Sequence, residues 1–162
     1  MDARSLALAQ LGLTKMLAGG ALGDCPQSLV NAAQPGKVST VGQILTHAFI
    51  FLDECTNAIA QQKGTLWETG GWSAKCGGGD SHYSPTNLDI AAFREYVDAV
   101  FASAESFLTS ASDADLDRVV ETPLGPQPAV VLVGGLAVVH VGEHVGDVAT
   151  IKGMSGVQGL PF

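Results

Sequence analysis

The sequence predicts an all-α fold, a four-helix bundle, and three observations carry that prediction. Apolar residues recur at helical spacing in four long segments, the apolar/polar alternation that marks strands is scarce, and no repeat of fixed period runs through the chain. A length of 162 residues suits one domain, residues 1–162, that buries its core without disulfide staples.

The first helix is expected over residues 4–20, where Leu6, Leu13 and Leu17 fall at helical spacing beside Met16 and several alanines, and it stops at "GGALGDCP". Thr40 and Gln43 form a T-x-x-Q capping box that opens the second helix, which runs through "VGQILTHAFIFLDECTNAIAQ" to about Gln62 with His47 in its middle. "SPTNLD" announces the third, with Phe93, Val97, Val100 or Phe101, and Phe107 or Leu108 marking its buried face, and "SDADLD" ends it. The fourth follows "TPLGPQP", takes Pro128 as its first helical residue and continues to about Lys152, where the glycines of "GMSGVQG" break it. Gly134 and Gly135 would each cost about 1 kcal/mol relative to Ala in an exposed helix, so another backbone is expected to pack closely there. Between the second and third helices lies a glycine-rich loop, residues 64–86, with Trp67, Trp72, Cys76 and His82. So long a connection reads either as a lid, with Trp67 or Trp72 in the wall of a site, or as a strap across the bundle end.

Composition excludes several roles. A net charge of −8 would repel a phosphate backbone, so no nucleic-acid partner is expected. The longest uninterrupted apolar and glycine stretch, residues 129–139, falls short of the roughly 17 to 25 residues that span a bilayer, and the N-terminus lacks a basic n-region, so neither a membrane partner nor a signal peptide is expected. Cys25, Cys55 and Cys76 are odd in number, far apart and without C-x-x-C spacing, which points away from disulfides and towards the cytoplasm. Cys76 follows Lys75, a cation able to lower a thiol pKa.

The chemistry concentrates in the fourth helix. His140 and His144 are one turn apart and share a face with Glu143 and Asp147, while Val138, Val141, Val145 and Val148 form an apolar stripe. His47 lies in an apolar helical stretch where imidazole is costly to bury without a partner. Three imidazoles on two helices of a bundle can converge on one point, and neutral imidazole is a common ligand of Zn, Ni, Fe or Cu. Three protein ligands leave coordination positions open, as catalytic sites do. Glu143 and Asp147 read either as carboxylates that orient an imidazole or as solvated groups, Asp147 more readily as the latter.

"LGPQPAVVLVGGLAVVHVGEHVGDVATIKGMSGVQGLPF" resembles the end of the DinB-like metal-binding four-helix proteins, whose last helix carries H-x-x-x-H followed by a small residue and whose second helix carries another histidine. The match covers residues 122–162, and His47 lies in the expected helix. The resemblance implies that His47, His140 and His144 ligate a divalent transition metal, Zn or Ni first. It implies no role for Cys76, His82 or the loop. Its relatives include mycothiol-dependent maleylpyruvate isomerase and bacillithiol S-transferases, which implies an enzyme acting on a small-molecule substrate with a low-molecular-weight thiol. A metal-dependent hydrolase with Glu143 as base and a non-catalytic metal-binding bundle are the alternatives. The apolar helices and low charge also suit a homodimer that buries one bundle face.

Overall fold

The computed structural model describes residues 2–78, 87–122 and 124–160. Helix α1 (Ala3–Gly23) begins at Asp2, whose carboxylate accepts from the Ser5 amide at 2.7 Å. Its buried face is Ala7, Leu11, Thr14, Ala18, Ala21 and Leu22; of the expected leucine series Leu6 and Leu13 are exposed, as is Met16, and Leu17 is half-buried against the core. The small side chains are the reason. At Gly134 an added Cβ would lie 2.2 Å from the Ala7 Cβ, so the two helices touch almost backbone to backbone there and a leucine in place of Ala7 would have no room. Gly135 meets only Val131 of its own helix, at 3.9 Å, so just one of the two glycines serves the crossing.

After the short α2 (Gln27–Val30), the capping box of Thr40 and Gln43 forms as expected and opens α3 (Val41–Asp53). This helix continues as a π-helical segment, Glu54–Ala60, and Gln62 ends the run with φ of 56°. Helix α6 (Ile90–Ser110) starts at Asp89, which accepts from the Ala91 and Ala92 amides, and it buries Phe93, Val97, Val100, Phe101, Phe107 and Leu108. "SDADLD" does not simply end it: Ser112 and Asp115 form a second capping box and open a separate short helix, α7 (Asp113–Asp117). Val119–Val120 (β1) and Gln127–Pro128 (β2) pair antiparallel, a two-residue ladder that the turn-rich sequence concealed. Pro128 is therefore the cap and not the first turn of the last helix, which runs as α8 (Ala129–Val131), a π segment Leu132–Ala137, and α9 (Val138–Met154).

The long helices close a ring in which α1 packs on α6 and α9, and α3 packs on the same two. Phe49 of α3 sets the middle of the core, edge-on to Phe93 at 5.9 Å and to Phe101 at 5.7 Å. By length and composition Ala3–Gly23 and Ala129–Met154 are apolar enough to cross a membrane, yet half of the latter's most apolar stretch is buried in the bundle.

Residues 64–78 form a strap. Helices α4 (Leu66–Thr69) and α5 (Trp72–Cys76) pack on α6, with Trp67 edge-on to Tyr96 at 4.9 Å and Trp72 tilted on Tyr96 at 5.9 Å. Asp53, fully buried, pins them. One of its carboxylate oxygens accepts from the Leu66 amide at 3.0 Å and from Asn57 at 2.8 Å, and the other from the Trp67 amide at 2.9 Å and the Tyr96 hydroxyl at 2.8 Å. At the far end of α9 the ammonium of Lys152, also fully buried, donates to Ala21 O at 2.9 Å, to Gly159 O at 3.2 Å and to the Asp24 carboxylate, so one side chain joins the ends of α1 and α9 to the C-terminal segment.

Candidate metal centre

Burial of Val138, Val141, Val145 and Val148 fixes the rotation of α9, and α3 lies beside it. His140 and His144 of α9 thereby meet His47 of α3. The ring centroids stand 4.8 Å apart for His47 and His140, 5.0 Å for His47 and His144, and 4.6 Å for His140 and His144, and all three side chains are half-buried. Phe51, one turn beyond His47, lies tilted against His140 at 4.6 Å.

One nitrogen from each ring falls within 4.8 Å of the other two. Two nitrogens on a shared zinc, each bonded at about 2.0–2.1 Å, can be no more than about 4.2 Å apart, so the widest pair must close by about half an ångström. A small ring rotation supplies that. The donor set suits a borderline ion such as Zn or Ni.

Asp147 is the carboxylate that acts on this cluster. Its Oδ2 lies 3.0 Å from His144 Nδ1, and with that N–H donated to the carboxylate, Nε2 carries the lone pair that a metal needs. Glu143, the other candidate, is exposed on the flank of the helix. The sequence reading put Asp147 in solvent more readily than Glu143, and this is corrected: the i,i+3 spacing brings the Asp147 carboxylate onto the His144 ring.

The aromatic part of the lid reading is corrected. Trp67 and Trp72 pack on α6 rings, held by the Asp53 contacts, and the strap they form faces α6. Cys76 is also corrected: it is buried, and burial pushes its thiol up to about 11 against the weaker lowering by Lys75, whose ammonium sits over the Trp72 ring at 4.3 Å. His82 and the end of the loop lie outside the described residues. The sequence reading missed the segment that does approach the histidines. A groove of about 420 Å³ runs between residues 34–39 and the end of α9, and His144 and Asp147 form one end of it.

A helical bundle with three imidazoles converging from two adjacent helices defines a protein that can hold a metal ion in its core. The chain belongs to the DinB superfamily, whose sequence profile matches residues 10–148. A crystal structure of a conserved protein from Enterococcus faecalis has the same fold, with a TM-score of 0.74 and 19% identity over 94% of this chain and 99% of that one. No curated protein matches significantly.

Proposed function

We propose that this protein is a divalent-metal-dependent enzyme that acts with a low-molecular-weight thiol, as an S-transferase or isomerase. The observation that carries this reading is the convergence of His47, His140 and His144, the last of which also lines an open groove. His47, His140 and His144 hold the ion, and Asp147 holds His144 in the tautomer that ligates. A divalent ion held by these three imidazoles would supply Lewis acidity, the property that makes a thiolate accessible near neutral pH. Phe51 walls the cluster on the His140 side, and the groove receives the substrate beside His144. The three cysteines are free and buried, which suits a reducing cytoplasm.

The test has two arms. Elemental analysis of the purified protein should give stoichiometric metal, lost in His47→Ala, His140→Ala and His144→Ala and kept in His82→Ala. With Co as the ion, 2-mercaptoethanol should add a sulfur-to-metal charge-transfer band. Retention of metal by the histidine variants sinks the centre. A spectrum unmoved by millimolar thiol sinks the thiol chemistry and leaves a hydrolase or a binding module.

The outer face of α1, with Leu13 at 55% and Met16 at 59% exposure, is the surface we assign to a homodimer. Sedimentation should show a dimer that Leu13→Glu with Met16→Glu converts to monomer; an unchanged species would exclude this face.

A further inference from the structure

We infer that the groove beyond His144 takes the uncharged, mainly apolar body of a small molecule and offers no cation of its own to an anionic one. The inference deepens the proposed function and rests on it for the chemistry that follows binding. At about 420 Å³ the groove is of ligand-pocket size. Its walls are Pro35, Val38, Ile44, Ile151 and Met154. Val38 and Met154 stand 54% and 75% exposed on its two sides, apolar side chains that no other part of the described chain covers.

Its polar groups decide the ligand's charge. Gln34, Ser39 and Thr150 are neutral, no lysine or arginine is among the lining residues, and His144 and the Asp147 carboxylate at one end belong to the metal centre. The Thr150 hydroxyl donates to Gly146 O at 2.9 Å, and Gln34 gives an amide hydrogen to Ala32 O at 2.9 Å, so two of the few donors are already used within the chain. An anionic group held away from the His144 end would lose its hydration with no lysine or arginine among the lining residues, in a chain of net charge −8. An apolar body meets no such penalty and buries Val38 and Met154. The thiol or electrophile that uses this groove is therefore one whose body, as distinct from the group that reaches the ion, carries no carboxylate or phosphate.

Two environment-sensitive dyes that differ by one sulfonate test this: N-phenyl-1-naphthylamine, which is neutral, and 1-anilinonaphthalene-8-sulfonate. Fluorescence titration of the metal-free protein should show the neutral dye binding at least about ten-fold more tightly. Val38→Asp and Met154→Glu should each weaken it several-fold, Leu124→Glu, 70% exposed and outside the groove, should not, and Thr150→Arg should raise the affinity of the sulfonate. Met154 is exposed enough that its variant keeps the fold, which thermal melting verifies. Equal affinities, or loss of binding in Leu124→Glu but not in the groove variants, would overturn the inference. Because no metal is present, this outcome is independent of whether the three histidines ligate one.

Discussion

Asp147 fixes one imidazole of the cluster, and the effect can be measured apart from catalysis. Asp147→Ala is expected to weaken metal affinity by about 10- to 100-fold in competition with a chromophoric chelator, the usual cost of losing the group that orients a histidine ligand. Glu143→Gln, on the exposed flank, should leave affinity unchanged. The cysteines behave in the opposite sense to a catalytic nucleophile. Burial pushes Cys55 up to about 12 and Cys76 up to about 11, so at pH 8 neither forms a thiolate in the folded chain. An aromatic disulfide reagent should find these two unreactive in native protein and reactive in denaturant. Because the folded pKa values lie above the ordinary 9.0, the stability they contribute is intact below pH 9. It is lost as pH rises towards 11–12, and the thermal midpoint should fall over that interval.

Helix positions were legible because capping and periodicity are local properties: the Thr40–Gln43 box and the Phe93–Leu108 stripe formed where the sequence placed them. Faces were less legible where a neighbour dictates them. In α1 the leucines looked like the core stripe, but the close passage of Gly134 requires a small side chain inward at Ala7, and the face set by that contact leaves Leu6 and Leu13 outside. The strap was undecidable for the same reason, since it is held by backbone amides on a buried carboxylate 13 residues earlier in the chain, a pairing that no local pattern announces. The crossing gives a paired prediction. Gly134→Ala should cost about 1–3 kcal/mol in urea unfolding, because its Cβ collides with Ala7. Gly135→Ala should be neutral or stabilising by up to about 1 kcal/mol.

At the scale of the whole molecule, the histidine centre was legible because it needs only two helices and three residues of unusual type. The groove was not, since it forms between a loop and a helix end more than one hundred residues apart in sequence. The hydrogen bond from Lys152 holds the Asp24 carboxylate below the usual range. That contribution is present above pH 3.8 and is lost as pH falls through the lowered value, so Lys152→Met should flatten the acid limb of stability. It should also cost about 1–3 kcal/mol at neutral pH, from carbonyls left unsatisfied. The lysine has a further consequence for the centre. It fixes the last turn of α9, and with it the groove wall of Ile151 and Met154, to the end of α1 through the chain's own bonds. The protein should therefore hold its binding surface ready before any ion arrives, with little ordering left to do on loading. Amide hydrogen exchange at residues 151–154 should be equally slow with and without zinc, and one ion should replace another under native conditions without global unfolding.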